Sequence, residues 1–117
     1  MKIKSKVLVL GADGFIGSNL IMSLLKDECY EIRAFDLFRD GVTKNLNTVK
    51  DRVEIFSGNF LNRSDLNSAL KNIDYVFHFV SLTTPSSSIN DPLIDVETNI
   101  KGTVVLLEEC VKNNIKR

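Results

Sequence analysis

The stretch that decides the fold runs from Val7 to Gly17 and reads VLVLGADGFIG. It begins with an unbroken apolar run, without the alternation of a strand that has one face in water. A strand that is apolar on both faces is typical of the middle of a parallel sheet covered by helices. Glycines at G-x-x-G-x-x-G spacing and an amphipathic segment follow. This order of strand, glycine turn and helix predicts a unit that binds phosphate at the start of the helix.

Each glycine has a separate steric role in such a unit. Gly11 permits a sharp turn after the strand, Gly14 lets backbone N–H groups approach a pyrophosphate, and Gly17 lets the helix lie close to the sheet. We predict cofactor contacts along this whole loop, including Phe15 and Ile16 at the start of the helix. A purely structural turn is the alternative interpretation.

A second strand is predicted over residues 30–35, and it ends at Asp36. This acid follows the last glycine by roughly 20 residues, the interval at which a carboxylate meets the adenosine ribose. A carboxylate accepts hydrogen bonds from the 2′-hydroxyl and repels a 2′-phosphate, which favours NAD over NADP. Two alternatives stay open: Asp36 as a turn cap, and NADP bound with the help of Arg39 and Lys44. Leu37 and Phe38 are expected beside the adenine.

The segment from Gly11 to Gly17 resembles the glycine motif of the extended short-chain dehydrogenase/reductases, in particular the NAD-dependent sugar-nucleotide epimerases and dehydratases. The resemblance runs over essentially the whole chain. It implies NAD as cofactor and, in the parent enzyme, a nucleotide sugar as substrate. It also implies transient hydride transfer between that sugar and NAD, as in the group that includes UDP-glucose 4-epimerase.

The resemblance extends to the turn after the third predicted strand, residues 53–56. The family's Gly-Asp is replaced by Gly58 and Asn59. An amide oxygen can still accept from the adenine amino group, and Phe60 would supply the backbone N–H to the ring. The following short helix, residues 64–70, is expected to begin with a cap at Asn62 or Ser64.

The fourth predicted strand, residues 74–80, resembles the family's V-F-H-L-A-A strand end. It departs from that pattern at Val80 and Ser81. Ser81 and Thr83, in the hydroxyl-rich loop over residues 81–88, are expected to be cofactor neighbours, although such clusters also form ordinary loops. His78 is interpreted as a hydrogen-bonded core residue, since a lone histidine in an apolar strand usually is one.

A long helix is predicted from Pro92, with Asp91 as its N-cap. The apolar row of this helix is expected to stay exposed to solvent unless the remainder of the protein covers it. Within this helix the segment at residues 99–103 resembles the family's N-x-x-G-T, whose asparagine, here Asn99, joins the hydrogen-bond network behind the active site. Gly102 predicts close packing, because glycine in a helix costs about 1 kcal/mol relative to alanine.

Composition excludes several classes of function. Fifteen basic residues balance fifteen acidic ones without a basic block, so we expect no nucleic-acid partner and no membrane association. Cys29 and Cys110 lie far apart and have no metal-binding spacing, which predicts reduced thiols in the cytoplasm and no metal site.

The predicted fold class is α/β, a doubly wound Rossmann-type parallel sheet with strand order 3-2-1-4. Residues 1–117 are interpreted as one NAD(P)-binding domain that stops before a fifth strand, and self-association is expected. No catalytic residue is assigned, because Tyr30 and Tyr75 both lack the lysine four residues later that the resemblance requires. A stand-alone NAD(P) sensor and an S-adenosylmethionine-dependent methyltransferase are the alternative functions.

Overall fold

The sheet is parallel, and its strand order is the predicted one. A computed structural model describes residues 3–39, 44–81 and 85–117. Strand β1 lies at the centre, paired with β2 on one side and β4 on the other, while β3 lies outside β2. The strands are β1 (Ser5–Leu10), β2 (Tyr30–Asp36), β3 (Glu54–Ser57) and β4 (Tyr75–His78).

Helices cover both faces of this sheet. Three of the helical segments follow one another without a break from Pro92 to Lys112, and they form the single long helix that the sequence predicts. Its central part is a π-helical segment, Val96–Lys101, and its N-cap is Asp91, whose Oδ1 accepts the Ile94 N–H at 3.4 Å. The α-helices are α1 (Phe15–Leu24), α2 (Arg63–Ala69), α3 (Pro85–Asn90), α4 (Pro92–Asp95) and α5 (Gly102–Lys112), and a 3₁₀ turn spans Lys50–Arg52.

Alternate residues of β1 belong to separate clusters of the core. Val7 and Val9 pack with Ile21 of α1, and Leu8 and Leu10 pack with α2 and with Leu106 of α5. All four β1 residues are at most 1% exposed. The apolar run therefore fills both layers of a doubly wound sheet, as expected for a central parallel strand.

One local prediction, the loop at residues 85–88, was wrong. Pro85–Asn90 is a short helix rather than part of a loop, because a proline is well suited to the first helical position and serines there are tolerated. Phe15 and Ile16 are 82% and 63% exposed, so the face of α1 that packs on the sheet begins later, at Gly17 and Ser18.

Backbone hydrogen bonds on the outer edge of β4 hold the end of the described chain. The Lys116 N–H donates to Asp74 at 2.9 Å, and the Val76 N–H donates to Arg117 at 2.9 Å. Within the described residues, no helix has the length and apolar character needed to cross a membrane.

Candidate cofactor site

The carboxyl ends of all four strands converge on one cavity of about 160 Å³. In an open α/β sheet this rim, where the chain order switches sides, is the usual place for a ligand. Its lining brings together residues that the sequence singled out separately: Gly11, Gly14, Asp36, Asn59, Phe60 and Ser81, joined by Phe35, Leu37, Gly58, Phe79 and Val80.

The glycine loop is built from backbone in close contact with backbone. Gly11 has φ +77°, and a Cβ on it would lie 2.9 Å from the carbonyl carbon and oxygen of Phe79. A Cβ on Gly17 would overlap the Gly11 carbonyl oxygen. Both positions therefore require glycine, one for its backbone conformation and the other for the approach of α1 to the end of β1.

Gly14 differs from these two, because a side chain there meets mostly open space. A Cβ would come within 4 Å of a single atom, the Gly11 carbonyl oxygen at 3.3 Å, and it would project where two cavities meet. Gly14 is also the N-cap of α1 and supplies no side-chain hydrogen bond. The backbone N–H groups of Phe15 and Ile16, in the first turn of α1, are thus available to an anion. Neither of these two residues lines either cavity.

Asp36 stands at the end of β2 and borders both cavities. Its Oδ2 accepts the Asp13 N–H at 2.9 Å and its Oδ1 accepts the Leu37 N–H at 2.8 Å. A carboxylate offers about four acceptor positions, so each oxygen keeps capacity for a further donor. The two backbone bonds orient the carboxylate so that it can meet ribose hydroxyls.

The second cavity, of about 360 Å³, continues outward from Asp36. Both acidic and basic residues line this cavity. Phe38, which also lines it, has a φ of +45°, in the left-handed region. The residues that line it are Asp13, Gly14, Asp36, Leu37, Phe38, Arg39 and Lys44.

The turn after β3 is held by hydrogen bonds within the protein. The Asn59 side-chain oxygen accepts the Leu61 N–H at 2.9 Å, and the Asn59 N–H donates to the Asp65 carboxylate at 2.8 Å. The amide oxygen keeps a second lone pair, so it can still accept from an adenine amino group. Phe60 is 4% exposed and stacks on His78 with ring centroids 4.9 Å apart.

His78 and Asn99 lie behind this cavity in a short chain of hydrogen bonds. His78 Nε2 lies 3.1 Å from Thr103 Oγ1, whose hydroxyl donates to the Asn99 carbonyl at 2.7 Å. Thr103 Oγ1 thus accepts from Nε2–H, and burial lowers the pKa of His78 from its ordinary value, which favours the neutral imidazole. The Asn99 Nδ2 donates to Asp95. Asn99 is not among the residues that line the cavity, and it connects to the site through β4.

The structure also shows contributors that sequence reasoning missed, Asp13 and Asp65. Both use carboxylates to hold loops at the rim, Asp13 at Lys44–Leu46 and Asp65 at Asn59. For Asp13 the sequence signal was a short acid beside a glycine turn, whereas Asp65 stands in the first turn of α2. Thr83 lies outside the described residues, and in the described part of the chain no group of three or more His, Cys, Asp and Glu is placed to hold a metal ion.

The sheet order, the glycine loop and the cavity at the strand ends define a Rossmann-type α/β domain. Residues 7–117 match the model of the NAD dependent epimerase/dehydratase family. The chain belongs to this family.

Solved structures agree with this assignment. UDP-N-acetylglucosamine 4-epimerase from Methanobrevibacter ruminantium M1 is 33% identical with a TM-score of 0.79, covering 99% of this chain and 36% of that one. The dTDP-glucose 4,6-dehydratase DesIV from Streptomyces venezuelae, solved with NAD bound, is 27% identical with a TM-score of 0.83, covering 96% and 37%. UDP-glucose-4-epimerase from Stenotrophomonas maltophila, also solved with NAD, shares the fold at 21% identity and a TM-score of 0.83, covering 95% and 34%. The chain spans about a third of the length of each of these proteins.

Proposed function

We propose that the chain is the NAD-binding amino-terminal segment of a nucleotide-sugar epimerase or dehydratase similar to UDP-glucose 4-epimerase. One observation carries the proposal: the glycine loop, Asp36, Asn59 and Ser81, which are far apart in sequence, border a single cavity at the strand ends. The family membership and the relatives solved with NAD support the same cofactor. A cytoplasmic location belongs to the proposal, because Cys29 and Cys110 lie far apart in the sequence and have no metal-binding or redox spacing.

The residues present fit a dinucleotide. The space at Gly14 that a Cβ would fill and the start of α1 would hold the pyrophosphate, and Asp36 would hold the adenosine ribose. Asn59 and Phe60 would border the adenine, with Ser81 further along the rim. Bound there, NAD would supply reversible hydride transfer with the sugar of the substrate. The residues of this chain bind and orient that cofactor.

Filling the pyrophosphate space tests the site directly. We expect Gly14→Val to abolish NAD binding in isothermal titration, because a β-branched side chain would occupy the space between the two cavities. The matched control is Ser23→Val, which introduces the same β-branched side chain at an exposed position of the same helix. Equal NAD affinity in both variants would contradict the proposed site.

The ribose carboxylate gives a second prediction. Asp36→Ala should lower the affinity for NAD by at least about 10-fold, which is the effect expected from losing a hydrogen bond to a charged group. The same substitution should lower the affinity for NADP less, since it also removes the repulsion between the carboxylate and the 2′-phosphate. Asp51→Ala, at an exposed acid of the 3₁₀ turn, is the control. Tighter binding of NADP than of NAD by the unaltered chain would refute the role of Asp36.

We expect no epimerase turnover from residues 1–117 alone. A tyrosine with pKa near 10 needs a neighbouring lysine to act as a base at pH 7, but four residues after Tyr30 and Tyr75 stand Ala34 and Phe79. Both tyrosines also lie in strands. The assay is incubation with NAD and UDP-galactose. Formation of UDP-glucose that is lost in Gly14→Val would show that the catalytic group is present after all, whereas binding without turnover also fits the alternative of an NAD(P) sensor.

A further inference from the structure

Asp13 makes contacts that no role in pyrophosphate binding explains. Its Oδ2 accepts the Lys44 N–H at 2.8 Å, and its Oδ1 accepts the Asn45 and Leu46 N–H groups at 2.8 and 3.1 Å. Its carbonyl oxygen accepts the Asn45 side-chain amide at 2.8 Å. One acidic side chain in the glycine loop therefore fixes the backbone of a segment that lies some thirty residues later in the sequence.

This segment is anchored at both its ends. Leu46 is fully buried in the core layer that contains Val7, Val9 and Ile21, and Lys44 borders the second cavity. Asp13 lies between these anchors and holds the wall of that cavity in place. The wall lies next to Asp36, which accepts the backbone N–H of Asp13 itself.

The chemistry of the second cavity bears on which dinucleotide fits. If Asp36 holds the ribose, a 2′-phosphate would project toward this cavity, where Arg39 and Lys44 offer positive charge. Asp13 places a second carboxylate there beside Asp36. Like charges at short range in water repel by about 1 kcal/mol, or roughly 5-fold in affinity.

We infer that Asp13 is a specificity-determining residue that excludes NADP from this site. Its carboxylate opposes the basic side chains and ties the backbone of Lys44, so that the two acids of the cavity balance Arg39 and Lys44 and leave no net positive charge for a 2′-phosphate. This inference rests on the proposed NAD site. It assigns discrimination between the two cofactors to the glycine loop as well as to the acid at the end of β2.

The test compares the dissociation constants of NAD and NADP for the 117-residue chain. Asp13→Asn keeps the size and an acceptor oxygen but removes the charge, so we expect the ratio of the NADP to the NAD constant to fall about 5-fold or more. Asn45→Ala is the matched control, because it loosens the same segment through the Asp13 carbonyl and leaves the carboxylate in place. The ratio of the NADP to the NAD dissociation constant should stay unchanged in Asn45→Ala.

Different outcomes separate the two hypotheses. If both constants change by the same factor in Asp13→Asn, Asp13 is only structural and the inference is wrong while the NAD site stands. If the unaltered chain binds neither dinucleotide, the proposed function fails and the inference fails with it. Asp13→Ser provides a second uncharged variant. Loss of folding in both variants, measured by circular dichroism, would also overturn the inference, since Asp13 would then be required by the fold.

Discussion

Glu109 is a carboxylate that α5 places inside the protein, with 3% of its side chain exposed. Hydrogen bonds from Asn67, Arg63 and Lys112 lower its pKa from 4.5 to about 2. Because the folded pKa lies below the unfolded one, ionised Glu109 stabilises the fold above about pH 4.5, and this contribution is lost as the pH falls toward 2. Glu109→Gln should therefore unfold more easily at pH 7. Its difference from the unaltered chain should shrink between pH 5 and pH 2.

The measurement is urea denaturation at several pH values. Glu108→Gln is the matched control, because Glu108 bonds the same Arg63 but is 54% exposed. We expect a small loss of stability for it, as is usual for exposed ion pairs, with little change across the acid range. Equal losses in the two variants would mean that the burial of Glu109 has no energetic consequence.

At the scale of elements, the packing of α5 against the turn after β3 depends on Gly102. A Cβ on Gly102 would lie 2.6 Å from Phe60 Cε1, so the close packing that the sequence suggested is confirmed. Gly102→Ala should lower the melting temperature, although alanine forms helices better by about 1 kcal/mol. Lys101→Ala, at the neighbouring exposed position, should not lower it. A shift back toward the original value in Gly102→Ala with Phe60→Leu would confirm the steric cause, and a higher melting temperature for Gly102→Ala alone would refute it.

The strands, helices and loops also show which features the sequence could predict and which it could not. The apolar run of β1 and the glycine spacing predicted the sheet and the rim where the cavity lies, because burial on both faces and close backbone approach restrict residue type locally. Residues such as Asp13 and Asp65 were missed because their hydrogen bonds reach loops whose positions depend on the folded sheet. Residues 85–88, which begin the helix Pro85–Asn90, were predicted as loop since Ser, Thr and Pro suit both loops and helix starts.

At the scale of the whole molecule, an apolar row of the long helix faces solvent, as the sequence analysis expected. Its members are 45% to 78% exposed: Leu93, Val96, Ile100, Val104, Leu107 and Val111. A contiguous apolar row of this kind favours association, so we predict that the 117-residue chain self-associates through it. Leu107→Asp should shift sedimentation toward monomer, and Lys26→Asp on the opposite layer should not. A strictly monomeric unaltered chain at high concentration would contradict this prediction.

The central position of β1 has a consequence for biosynthesis. It is the first strand along the chain, yet its two neighbours in the sheet are β2 and β4, and the pairing of Leu10 with His78 must wait for most of the described chain to be made. At about 5 to 20 residues per second, translation leaves one side of β1 without its partner for several seconds or more. During that interval the edge of β1 that later pairs with β4 is open on the nascent chain, so the strand that organises the folded sheet is exposed to association with other chains until β4 has been synthesised.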